Sequence, residues 1–259
     1  MFSQEPRCQY RKNQLGEVIC QLRFPEILSI ETEPPASFQE AIRQEFPIYS
    51  CRRDSILANP VNAGMRPQQS TLVRNHQFMS EDGIWRVILT STFISLACTR
   101  YSTWEEFAQR LDKPLAAFIQ VYRPAFFERA GLRYMNFISK HALGLDSTPW
   151  RELIESRYLG ILAEETVAEQ SAFRSTVDAE IALVGGCRLK LHAGPGRIKR
   201  NGVQEDEIRF IFDQDLFHAG KLPVHMSAVV LESLHRQAYS VFRGAITDTL
   251  HTYMEPEEI

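Results

Sequence analysis

Two segments far apart in the chain share a strand-like alternation with Leu-Arg-aromatic inside it: EVICQLRF at residues 17–24 and GLRYMNFI at residues 131–138. Strand side chains alternate between two faces, so Leu22 and Phe24 lie opposite Arg23, and Leu132 and Tyr134 lie opposite Arg133. The stretches downstream of the two segments are also alike. After the first comes PPASFQEAIRQEFP, where Ser37 is placed to cap a helix and Phe38, Ala41, Ile42 and Phe46 fall on one face. After the second comes TPWRELIESRY, a short helix with Pro149 at its first turn. In it Trp150, Glu152, Leu153, Ile154 and Tyr158 stand at one constant offset from Phe38, Glu40, Ala41, Ile42 and Phe46.

The remaining elements repeat in the same order. Residues 50–70 read as loop with one edge strand; TLVRNHQFMS is a strand; Glu81-Asp82-Gly83 is a turn; WRVILTSTFISLACTR is two strands folded about 90–92. A long amphipathic helix spans 102–122, capped by Ser102 or Thr103, with a kink or brief break at Pro114. In the second part, FRSTVDAEIALV, CRLKLHA and EIRFIFDQ are strands, and a last helix runs from about Met226 to Tyr253. The expected fold is therefore α+β: two similar halves, residues 1–124 and 125–259, each a curved antiparallel sheet with a short and a long helix in the order β-α-β-β-β-α. This order resembles the saddle of the TATA-binding protein and the helix-grip folds, and an internal duplication would produce it.

A chain of 259 residues is long enough for a substantial core. With 29 Lys plus Arg against 32 Asp plus Glu, its net charge of −3 argues against a general nucleic-acid binder. Apolar runs end well short of the ~18 residues a membrane span requires, and MFSQEPRCQYRKNQLG lacks the apolar stretch of a secretory signal. The five cysteines are scattered, with no Cys-x-x-Cys pair, so the expectation is free thiols in the cytoplasm, with no disulfide framework, metal or cofactor.

The segments around Glu17–Pro25, Gly131–Asn136, Leu234–Phe242 and Ile246–Asp248 resemble the conserved stretches of an uncharacterised, sporadically distributed family of bacterial and archaeal proteins of about this length. The resemblance implies no activity, cofactor or catalytic residue. Patchy distribution accompanies mobile-element and defence genes, and so implies a regulatory or partner-binding role.

Among individual residues, Arg23 and Arg133 are placed to share a sheet face, where they could grip a carboxylate or phosphate or neutralise Glu17 or Glu128. His235 stands mid-helix, with no Ser, Cys or carboxylate pair spaced to complete a nucleophilic set. Asp213, Asp215 and His218 could approach one another at a strand end. The loop at 194–206 carries Arg197, Lys199 and Arg200 without a phosphate-loop pattern. The function expected first is non-enzymatic recognition of a macromolecular partner, most simply a protein. The alternatives are a ligand-binding or hydrolytic pocket between sheet and long helix formed by Arg23, Arg133, Asn136 and His235, and nucleic-acid binding through the basic loop.

Overall fold

A computed structural model describes residues 2–56, 71–200 and 202–258. In chain order its elements are β1 (Cys8–Tyr10), β2 (Leu15–Arg23), α1 (Ser29–Thr32), α2 (Ala36–Ile42), β3 (Ile48–Ile56), β4 (Thr71–Met79), β5 (Trp85–Leu89), β6 (Phe93–Cys98) and α3 (Trp104–Tyr122). They continue with β7 (Phe127–Ile138), α4 (Lys140–Leu143), α5 (Trp150–Leu153), β8 (Val177–Ala182), β9 (Cys187–Gly196), β10 (Lys199–Arg200), β11 (Val203–Gln204), β12 (Arg209–Leu222), α6 (Ser227–Arg243), α7 (Asp248–Tyr253) and β13 (Pro256–Glu258).

The chain is α+β and is built on one nine-stranded antiparallel sheet, ordered β3-β4-β5-β6-β2-β7-β12-β9-β8. The two Leu-Arg-aromatic strands are neighbours at its middle, with Ile19 opposite Arg133 and Arg23 opposite Arg129. Next to each lies the strand that precedes a long helix, β6 beside β2 and β12 beside β7. At the start of this seam β2 carries a bulge between Leu15 and Glu17. A Cβ on Gly16 would stand 2.2 Å from the Phe137 ring, so only glycine lets the ring close over the bulge.

Alternation decides which face is covered. Val18, Cys20, Leu22, Val87, Leu89, Leu132 and Phe212 are all at most 1% exposed and share the face carrying the helices. The aromatic of each Leu-Arg-aromatic set meets a long helix: Phe24 packs on Phe118 of α3 at 4.6 Å, and Tyr134 on His235 of α6 at 6.2 Å. Among the described residues no helix packs on the opposite face. It carries diagonal ion pairs, Arg133–Asp213 and Arg129–Asp215 between β7 and β12, and Arg86–Glu17 across the β6 strand from β5 to β2.

Several local expectations need correction. Ser37 is not the cap of α2; Pro35 precedes that helix without a side-chain cap, and Ala41 is exposed, although Phe38, Ile42 and Phe46 are buried. The helix α3 continues through Pro114, which is buried on its inner face, while Thr103 accepts from the Glu106 N–H as expected of a cap. The helix after Pro149 lasts only from Trp150 to Leu153. Ile154 then turns extended and bridges Ile246, and the Thr247 N–H donates to the Leu153 carbonyl. The same contacts divide the predicted last helix into α6 and α7, because residues 245–247 spend their backbone groups on the 152–155 segment. Thr247 then caps α7 by accepting from Leu250 N. Of the 50–70 region expected to be loop with one edge strand, residues 50–56 belong to β3, which is an edge strand of the sheet, and 57–70 lie outside the described residues.

Candidate functional site

A cavity of about 100 Å³ lies between the sheet, the start of α3, the middle of α6 and the N-terminal segment that crosses them. The sheet and helix walls arise from sequence patterns. β7 presents Tyr134 and Asn136 inward by alternation, and β12 presents Gln214 beside them, with Gln214 opposite Tyr134 and Phe212 opposite Asn136. From α6 the inner stripe supplies His235, Ala238 and Phe242, and from the α3 entry come Tyr101 and Trp104. The rim includes the exposed Asn13 and Ser102, so the cavity communicates with solvent.

His235 organises this space. Its ring stacks on Trp104 at 4.7 Å with planes 7° apart, and the Trp104 indole N–H donates to Glu232 at 2.5 Å. Arg7 donates to Nε2 of His235 at 2.8 Å and to Glu105 at 2.5 Å. A guanidinium cannot accept, so the ring proton sits on Nδ1 and is donated to the Tyr134 hydroxyl at 2.9 Å. Burial and the Arg7 charge push His235 down to about 4, against the pull of Glu232 and Glu105. The ring is thus neutral at pH 7. Burial also raises Tyr134 well above the ordinary phenol value, and Tyr101 beside it is raised by the same cause. Both imidazole nitrogens are thus engaged and both phenols protonated, so the cavity wall offers hydrogen-bonding and aromatic surface rather than a free base.

Two carboxamides complete it. Gln214 is 2% exposed, and its Oε1 is buried with no hydrogen-bond partner among the described residues. Asn136 is 3% exposed and makes one long bond, from Nδ2 to the Phe212 carbonyl at 3.4 Å. An unpartnered buried amide oxygen costs about 1–3 kcal/mol, and this one belongs to a side chain that lines the cavity.

Of the four residues grouped by the sequence pattern, the structure brings together two. Asn136 and His235 line the cavity, while Arg23 and Arg133 stand on the uncovered face of the sheet. The register separates them: Arg133 alternates with Tyr134, so whichever face receives one cannot receive the other. Arg133 grips Asp213 by two bonds, at 2.8 and 2.5 Å, rather than Glu17 or Glu128. Arg23 is exposed, and no side-chain partner for it is found among the described residues. Asp213 and Asp215 are held by Arg133 and Arg129, and His218 alternates onto the other face, so these three do not converge. Among the described residues no group of three or more His, Cys, Asp or Glu is placed to hold a metal ion.

In the basic loop, Lys199 pairs with Gln204 in the β10–β11 hairpin and Arg197 donates to the Asp206 carbonyl at 3.2 Å. The side chain of Arg200 and all of residue 201 lie outside the described residues. A broader depression of about 610 Å³ beside this hairpin includes in its lining Lys140, paired with Glu169, and Glu207, held by Ser139 and Arg209.

Sequence reasoning missed Arg7, Tyr101 and Gln214. Gln214 left a signal: it interrupts the inward apolar series Phe210, Phe212, Leu216. Arg7 left none, since nothing in a short aperiodic segment announces contact with a helix more than two hundred residues away. Among the described residues no helix is long and apolar enough to cross a membrane. No family model and no curated protein matches this chain.

Proposed function

We propose that this protein is a non-enzymatic binding protein that takes a small ligand into the cavity between β7, β12, α3 and α6. The observation carrying this reading is the partnerless Gln214 carboxamide, buried at the end of an otherwise satisfied polar chain from Glu105 through Arg7 and His235 to Tyr134. Native interiors leave few buried polar groups unmet, and of those unmet among the described residues Gln214 is the one that borders this cavity. The test is ligand-observed NMR with single-ring fragments that include amides, phenols and carboxylic acids. Binding should be lost when Ala238 is enlarged to Met, which fills the cavity from α6. If the complete fragment set leaves no trace of binding, or if Ala238→Met binds as well as wild type, the reading fails.

A second reading, recognition of a protein partner, is favoured by the uncovered sheet face. There Arg86–Glu17, Arg129–Asp215 and Arg133–Asp213 pair charges of β5, β2, β7 and β12, while Arg23 has no side-chain partner among the described residues. Such a face would meet a partner through Arg23 and its neighbours, in keeping with the regulatory, mobile-element or defence role implied by the family resemblance. Arg23→Glu should then abolish capture of a specific partner from the native host at physiological salt; unchanged capture would refute it.

The strand order on either side of the β2–β7 seam supports reading residues 1–124 and 125–259 as copies of one ancestral unit in a saddle like that of the TATA-binding protein. The second copy would have one strand fewer in the sheet and a short helix cut to one turn.

A further inference from the structure

The cavity's chemistry narrows its occupant to one class. Resting on the ligand-binding reading, we infer that the site takes a neutral, planar amide of no more than one ring, such as a lactam or a pyrimidine-like base, read through its adjacent N–H and C=O by Gln214 and Asn136.

Size sets the first limit. An engineered cavity of roughly 150 Å³ accepts one benzene, and this one holds about 100 Å³. A single ring is therefore the most that the walls enclose.

Charge sets the second. The ionised groups bordering the cavity, Arg7 and Glu105, neutralise each other at 2.5 Å, and Arg7 also gives a hydrogen bond to His235. The imidazole is uncharged at neutral pH. An ionic ligand would enter with no free counter-charge and would have to lose its hydration, which is costly.

Hydrogen-bonding capacity sets the third. Gln214 offers an acceptor with no donor, and it projects from the strand next to Asn136, one diagonal step away on the same sheet face. Diagonal neighbours of this kind lie ~7–8 Å apart at the backbone, within joint reach of one small ring between longer side chains. A carboxamide both donates and accepts, so its natural complement is another amide edge. Tyr134, Tyr101 and Trp104 add aromatic surface for a flat molecule. A site built this way rejects rings lacking the matching N–H, because the buried oxygen then stays unmet.

The experiment titrates the full-length protein with 2-pyridone, followed by protein-detected NMR and calorimetry, with benzene, phenol and benzoate as ring-sized comparators. Expected are single-site binding of 2-pyridone, at least tenfold weaker binding of each comparator, and at least tenfold loss of 2-pyridone affinity in Gln214→Met. That variant should melt no lower than wild type, because it removes an unmet polar group while keeping side-chain length. Binding of benzene or benzoate as tight as that of 2-pyridone overturns the amide class while leaving the cavity a ligand site. So does 2-pyridone binding that Gln214→Met leaves unchanged. A large fall in the melting temperature of Gln214→Met also overturns it, since the carboxamide would then be serving the fold. Failure of all four probes on the wild-type protein removes the class, and failure of the wider fragment set removes the ligand-binding reading with it.

Discussion

The Nδ1–H of His235 donates to the hydroxyl of Tyr134 across 2.9 Å, joining the middle of the last long helix to a central strand of the sheet. The bond exists because Arg7 occupies the other ring nitrogen and fixes the tautomer. Helix, strand and N-terminal segment are thereby coupled through one imidazole.

This coupling makes stability depend on pH in a defined direction. His235 titrates at about 4 in the folded chain, against 6.5 as its ordinary value. Between those values the unfolded chain binds the extra proton, so the contribution is complete above pH 6.5 and is lost as pH falls toward 4. The full loss is on the order of 3 kcal/mol. Arg7 and Arg236 act in the direction of the shift, while Glu105 and Glu232 oppose it. His76 and His251 are lowered too and add to the same slope. Urea denaturation at pH 7.5, 6 and 5 should show wild type losing stability more steeply than His235→Gln; parallel curves would contradict the assignment.

Arg7→Ala removes a bond to a carboxylate and one to an imidazole, and should cost about 1–3 kcal/mol. Losing the nearby cation should also move His235 upward. Imidazole proton shifts followed against pH test this, and an unmoved midpoint would show that Arg7 is not the neighbour that matters.

Gly194 tolerates no side chain. A Cβ there would stand 2.3 Å from the Ser175 carbonyl oxygen, a backbone atom that cannot rotate away. Gly194→Ala should therefore destabilise by about 2–3 kcal/mol. Gly131→Ala provides the contrast. Its Cβ would meet the Arg129 guanidinium at 2.4 Å, the far end of a flexible chain, and the cost should be smaller. Equal melting temperatures for the two variants would contradict this distinction.

The two ion pairs between β7 and β12 should differ in weight. The Arg133 side chain is 45% exposed and that of Asp213 16%, so solvent screens the pair from the cation's side and Arg133→Ala should cost about 1 kcal/mol or less. The Arg129 side chain is 20% exposed, contacts both Asp215 oxygens and lies 4.5 Å over the Phe217 ring. Truncating it should cost about 1–2 kcal/mol. Double-mutant cycles with Asp213→Ala and Asp215→Ala measure the two couplings, and a larger value at Arg133 would reverse the ranking.

The alternating and helical periods in the sequence determined by themselves that β2, β4, β5, β6, β7 and α3 would form, and that Phe38, Ile42, Phe46, Trp150 and Tyr158 would be buried. Those patterns arise between near neighbours, so the local string carries them. That Asn136 and His235 would line one cavity was legible because each is a polar side chain in an otherwise apolar inward series. Tertiary structure decided the rest. It set β2 beside β7, stopped the last helix at Gly244 by engaging 245–247 with the 152–155 segment, and laid Arg7 across His235. It also put Arg23 and Arg133 on the sheet face away from the cavity, since the covered face was chosen by where α3 and α6 pack. Each of these outcomes depends on contacts between residues distant in the chain, and the energy of such contacts exists only once the sheet has closed around them.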